Sequence, residues 1–128
     1  MIVDSSALVA ITFREPGHAE LIAKMTAAPS AGIGTPTLAE TGLVLSWRLQ
    51  QDPRDLLIRM LSEFGIEEVP FGEAHWREAI SAYLRFGKGR HKAQLNFGDC
   101  LTYAVARLAE EPLLFTGRDF TQTDVKLA

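Results

Sequence analysis

A chain of 128 residues with 47% hydrophobic and 23% charged side chains has the size and composition of one globular domain, residues 1–128, and excludes a disordered or fibrous protein. The formal charge of −3 argues against a protein that coats nucleic acid through net positive charge. Its longest apolar runs, Ala7 to Phe13 and Leu43 to Trp47, fall well short of the roughly 20 residues that span a bilayer, so no membrane segment is expected. Met1-Ile2-Val3-Asp4 carries no basic leader or small-residue cleavage site, and the lone Cys100 can form no internal disulfide. Both features predict a cytoplasmic protein in which Cys100 is a small core residue.

In chain order, Met1 to Val3 reads as a strand, followed by a helix that a Ser of Asp4-Ser5-Ser6 caps and Ala7 to Ile11 continues. Pro16-Gly17 breaks that helix, and Leu21, Ile22 and Met25 place another over His18 to Ala27. Ala31 to Gly34 is a second strand. Thr35 as cap and Pro36 at the first position then open a helix to Leu49. Pro53 starts a helix to Phe64, Ile66 to Phe71 is the third strand, and Glu73 to Phe86 is helical, so that His75 and Trp76 begin a helix. Arg85 to Lys92 reads Arg-Phe-Gly-Lys-Gly-Arg-His-Lys, a mobile basic loop. Asn96 begins a helix reaching Glu110, Leu113 to Thr116 is the fourth strand, and Val125 to Leu127 is a candidate fifth. Strands separated by helices predict an α/β fold, a parallel sheet with helices on both faces.

Active sites of such sheets gather at the carboxyl ends of the strands, which draws attention to Asp4, Glu40, Asp99 and Asp119, with Asp124 as a weaker fifth candidate. Each also has an ordinary structural reading. Asp4 and Asp119 sit where turn or cap residues are common, and Asp99 can pair with Asn96 as a helix cap. Glu40 shares a helical face with Leu43, Val44 and Trp47, which predicts an acid on an apolar stripe, with Arg48 as a structural ion-pair partner in the alternative reading. If the sheet brings the four acids together, their charges cannot all persist without a cation. Oxygen donors without His or Cys suit Mg²⁺ or Mn²⁺, and such ions typically serve phosphodiester hydrolysis.

Met-Ile-Val-Asp-Ser-Ser-Ala-Leu-Val-Ala at the start, Thr-Pro-Thr-Leu-Ala-Glu at 35 to 40, Asn-Phe-Gly-Asp-Cys-Leu at 96 to 101 and Leu-Leu-Phe-Thr-Gly-Arg-Asp-Phe-Thr-Gln-Thr-Asp-Val at 113 to 125 resemble the signature stretches of the VapC toxins of the PIN-domain ribonuclease family. The resemblance spans almost the whole chain in the right order. It implies a PIN-like three-layer α/β/α sandwich with a mostly parallel sheet of four to five strands. It also implies Mg²⁺- or Mn²⁺-dependent endoribonuclease activity on RNA, dimerisation, and inhibition by a cognate VapB-type antitoxin, with higher toxin-antitoxin assembly in prospect. Residue by residue, it assigns metal binding to Asp4 and Asp99, with Glu40 and Asp119 completing the acidic site and Ser6 and Thr116 hydrogen-bonding nearby. Ser5 stands where many relatives carry Thr, a minor departure.

Arg85, Lys88, Arg90, His91 and Lys92, with Arg118 beside the fourth strand, are candidate RNA phosphate contacts. Two other classes compete: an inactive PIN-like module that only binds RNA or protein, and a doubly wound phosphatase or signalling domain with an aspartyl nucleophile. Intact acids disfavour the first. The second usually needs another nearby acid and a buried Lys, whereas here the first strand ends Asp-Ser-Ser-Ala.

Overall fold

The computed structural model describes residues 1–128. Ten elements follow one another: β1 (Ile2–Val3), α1 (Ser5–Thr12), α2 (His18–Ala27), β2 (Ala31–Gly34), α3 (Thr35–Leu49), α4 (Arg54–Phe64), β3 (Ile66–Val69), α5 (Glu73–Phe86), α6 (Phe97–Ala109) and β4 (Leu113–Leu114). The four strands form one sheet in the order β3-β2-β1-β4, and every pairing is parallel. Parallel strands need helical crossovers, which cover both sheet faces and make β1, β2 and β4 apolar and buried, while the edge strand β3 exposes Glu67 and Glu68.

The two faces carry separate cores. On one, Ile2 and Leu113 pack with Phe86 of α5 and with Cys100, Tyr103 and Val105 of α6. On the other, Val3, Ile33 and Leu114 pack with Leu8 of α1, Met25 of α2 and Met60 of α4. Alternation along each strand thus sends neighbouring residues into opposite cores, which yields the expected three-layer sandwich. Close approach of helix to sheet has a sequence cause: a Cβ at Gly34 would lie 2.8 Å from Val105 Cγ2, so β2 ends in glycine where α6 crosses it.

Several boundaries differ from expectation. Asp4, not a serine, caps α1 by accepting from the Ser6 backbone N–H, because the acid is already placed at the end of β1. Gly34 occupies the cap position of α3, leaving Thr35 and Pro36 inside its first turn. The third strand stops at Val69, before Pro70, which has no N–H for the ladder. The fourth stops at Leu114, since the Thr116 N–H donates to the Ser6 hydroxyl at 3.1 Å instead. In place of a fifth strand, a single parallel bridge joins Leu127 to Leu113. The basic segment is also shorter and more tied down than a mobile loop. Arg85 belongs to α5, and Gly87 pairs with Leu95 through hydrogen bonds from Lys88 N to Leu95 O and from Leu95 N to Phe86 O, both 2.9 Å. No helix is long and apolar enough to cross a membrane.

Candidate active site

The strand order reverses between β1 and β4: after β1 the chain builds β2 and β3 on one side and returns to add β4 on the other. A crevice at the carboxyl ends of the strands is expected at such a switch point. Asp4 directly follows β1, and Thr116 to Asp119 follow β4. Glu40 lies in the second turn of α3, the helix after β2, and Asp99 in the first turn of α6.

Asp4 is buried, and each of its carboxylate oxygens accepts one hydrogen bond, which leaves acceptor capacity on both. Oδ2 accepts from Ser6 N at 3.1 Å and Oδ1 from the Thr102 hydroxyl at 2.8 Å. The Thr102 hydroxyl lies 3.0 Å from that of Thr37. Because Thr102 spends its one proton on Asp4, Thr37 is the donor in that pair, and a buried relay from α3 through α6 fixes the acid. Glu40 accepts from the Ser5 hydroxyl at 2.9 Å through Oε1. It does not lie on a buried apolar stripe. The inner face of α3 is Thr37, Thr41 and Leu45, while Leu43 and Trp47 are exposed, since α1 and α6 pack against the threonine side. Arg48 pairs with Glu15 at 3.0 Å and stacks on Phe13, leaving Glu40 without a structural counter-ion.

Asp99 caps its own helix: it and Asn96 exchange side-chain-to-backbone bonds of 3.1 and 2.9 Å. Burial nonetheless pushes its carboxyl up to about 7, and although the Asn96 N–H opposes this, the charges of Asp119, Asp4 and Glu40 add to it. The four acids are therefore close enough to repel, and none of them forms an ion pair. No three of them close around a single point. Mg²⁺ fits such a donor set, since it keeps several waters and typically takes only one or two carboxylates together with substrate oxygens. Asp119 itself is exposed on the loop after Gly117.

The remaining candidates separate. Ser6 and Thr116 are joined to each other, pinning the loop that carries Asp119 to the start of α1. Asp124 faces elsewhere: its carboxylate accepts from the Tyr103 hydroxyl at 2.5 Å and pairs with Arg85 at 3.0 Å. Both Asp124 and Arg85 are thereby used in holding the C-terminal segment to α5 and α6. His91 Nδ1 accepts from the Ala93 N–H, an intraloop role. Lys88, Arg90, Lys92 and Arg118 are exposed and form no ion pair, although Arg90 lies over the Tyr83 ring.

Sequence reasoning passed over Ser5, Thr37, Thr102 and Gly98. The available signal was a hydroxyl three residues before Glu40 and three after Asp99, polar positions that need a hydrogen-bond partner once buried. Replacing Thr102 by Val keeps the shape, removes the bond to Asp4 and strands the Thr37 hydroxyl. We expect Thr102→Val to cost about 1–3 kcal/mol in denaturant unfolding and about 10- to 100-fold in turnover. Full activity in this variant would show that the relay does not hold Asp4.

The PIN domain family profile matches residues 1–126. VapC36, a ribonuclease of Mycobacterium tuberculosis, is 46% identical over 127 residues, covering 98% of this chain and 91% of its own. VapC42, a ribonuclease of the same species, is 37% identical over 129 residues, covering 100% and 98%. Among solved structures, the M. tuberculosis toxin VapC20, described as cleaving the sarcin-ricin loop, superposes with a TM-score of 0.79 at 15% identity over 99% of this chain and 97% of that one. A toxin-antitoxin complex from Klebsiella pneumoniae gives 0.72 at 17% identity over 99% and 95%. By profile, by sequence identity along its length and by fold, this chain belongs to the PIN-domain family and, within it, to the VapC ribonucleases.

Proposed function

We propose that residues 1–128 act as one PIN domain that hydrolyses RNA phosphodiester bonds internally, as the toxin of a toxin-antitoxin pair. The observation that carries this reading is the convergence of Asp4, Glu40, Asp99 and Asp119 at the sheet's switch point, unpaired and mutually repelling. Asp4 and Asp99 would hold Mg²⁺ or Mn²⁺, with Glu40 and Asp119 completing the site. A divalent ion bound there supplies Lewis acidity toward the phosphate and lowers the pKa of an attacking water. The chain's own part is to hold those carboxylates still: Thr102 and Ser6 N–H fix Asp4, Ser5 fixes Glu40, and the Asn96 cap fixes Asp99.

Lys88, Arg90, Lys92 and Arg118, free of ion pairs, are proposed to receive the RNA phosphates and position the strand without reading its sequence. Two apolar surfaces suit the protein partners of this reading, a second copy and a VapB-type antitoxin. One is a cleft of about 610 Å³ whose lining includes Trp76, Ile80, Tyr83 and Phe97, and the other carries Leu43, Trp47 and Ile58. Contiguous exposed apolar side chains of this kind mark interaction sites.

The test is cleavage of RNA by the purified, antitoxin-free protein, scored as new 5′ ends and measured at several ionic strengths. We expect cleavage, and we expect replacement of Lys88, Arg90 and Lys92 together by Ala to raise KM and to flatten the salt dependence by up to about one unit of slope per lost contact. The dependence on Mg²⁺ should be unaltered. Absence of RNA cleavage overturns the enzymatic reading, whereas an unaltered salt slope moves the RNA groove away from this loop.

A further inference from the structure

Gly98 occupies the first turn of α6 with ordinary negative φ. Nothing in its backbone conformation demands glycine. Within a helix glycine is about 1 kcal/mol less favourable than alanine, so some neighbour must require the missing side chain. That neighbour is Glu40. A Cβ at position 98 would lie 2.9 Å from Glu40 Cδ and 3.0 Å from Oε1, and would overlap Oε2. From another element, the Ser5 hydroxyl donates to Oε1 at 2.9 Å. The carboxylate is thus seated between Ser5 and the bare backbone of the first turn of α6, at the positive end of that helix's dipole and next in sequence to Asp99.

We propose that Gly98 is a positioning residue for the reaction: its lack of a side chain admits the Glu40 carboxylate to the first turn of α6, beside Asp99. The inference rests on the ribonuclease reading and deepens it, because it concerns how this chain holds one acid of that site. The atoms a methyl would strike are the far end of a flexible side chain and not backbone. Glu40 can therefore swing away at little cost to folding, and the carboxylate leaves its seat when it does. Gly42 supplies the matched control. It lies on α3 two residues from Glu40, and a Cβ there meets only Leu57 Cδ1, at 3.4 Å, an ordinary contact.

The experiment compares the full-length parent with Gly98→Ala and Gly42→Ala for RNA cleavage, thermal unfolding and calorimetric Mn²⁺ affinity in the absence of RNA. Gly98→Ala is expected to lower kcat about 10- to 100-fold with KM within about twofold of the parent. Its thermal midpoint should be unchanged or higher, and its Mn²⁺ affinity weaker, while Gly42→Ala keeps the parental kcat and affinity. Adding Glu40→Asp to Gly98→Ala shortens the acid by one methylene and makes room for the methyl. That double variant should retain more activity than the product of the two single losses predicts.

Parental turnover or parental Mn²⁺ affinity in Gly98→Ala overturns the inference. So does a lost or lowered thermal transition, which would mean that backbone and not Glu40 absorbs the clash, and so do strictly multiplicative losses in the double variant. A parent that cleaves no RNA sinks the ribonuclease reading itself, a result distinct from a parent that cleaves and a Gly98→Ala that cleaves equally well.

Discussion

Asp99→Asn unfolds at a higher temperature than the parent when both are metal-free at pH 8, yet it cleaves RNA more than about a hundredfold more slowly. The bound on activity follows from the proposed role, since loss of a group that merely supports a metal ligand already costs about 10- to 100-fold. The stability gain follows from burial and like charge. In the fold the Asp99 carboxyl is pushed up to about 7, against about 3.9 for an unfolded aspartate. A raised carboxyl binds its proton more tightly in the folded state, so the ionised form destabilises the fold above pH 7. As pH falls from 7 toward 4 that cost disappears, and below about 4 it is absent. Asparagine removes the charge while keeping an oxygen to accept from the Asn96 N–H, so the cap at 3.1 Å survives. That rise from about 3.9 to about 7 caps the advantage of the variant at about 4 kcal/mol at pH 8, solvent screening of the partly exposed carboxyl lowers it, and it should shrink as pH is lowered to 5. Loss of the cooperative transition, or an equal midpoint at both pH values, would instead make Asp99 a structural cap.

Chelation should abolish cleavage by the parent entirely, and added Mg²⁺ or Mn²⁺ should restore it. Four acids without an ion-pair partner lie near the switch point, and burial first, with the charges of Asp119, Asp4 and Glu40 adding to it, pushes the Asp99 carboxyl up to about 7. A cation that neutralises them binds the folded state better than the unfolded chain, so it also stabilises by mass action. Saturating Mn²⁺ should therefore raise the thermal midpoint of the parent at pH 8, and raise it less in Asp99→Asn, which presents one carboxylate fewer. Cleavage that continues undiminished in excess chelator removes the metal from the mechanism. A midpoint indifferent to Mn²⁺ places the ion elsewhere on the protein.

Which parts of this were legible in the chain depends on whether the determining physics is local. The helices from His18 and from Glu73 were readable because apolar spacing and Pro or Gly breakers act over a few residues. The Asn96–Asp99 cap was readable for the same reason, its two partners being three residues apart. The alternation of strand and helix announced the parallel sheet, and four acids placed after strands or early in the following helices announced where to look. The end of β4 was not readable, since it depends on which distant group takes the Thr116 N–H, and Ser6 takes it across 110 positions. The end of β3 at Val69 has a local cause in Pro70, which a reading of Ile66 to Phe71 as one strand passed over.

The inward face of α3 was misjudged because periodicity identifies a stripe but not the partner that covers it. Leu43 and Trp47 form an apolar stripe, yet α1 and α6 meet the side that bears Thr37, Thr41 and Leu45. Asp124 looked like a site acid until Tyr103 and Arg85 were found holding it. The sequence by itself determined the element types and the crossover architecture and singled out the candidate acids, because propensity, capping and patterning are properties of short segments. Only the tertiary structure decided that Thr37 and Thr102 relay a hydrogen bond to Asp4 and that Glu40 rests against Gly98. Those contacts join residues 58 to 98 positions apart in the chain, and packing, which no local pattern encodes, sets the ångström-scale distances between them.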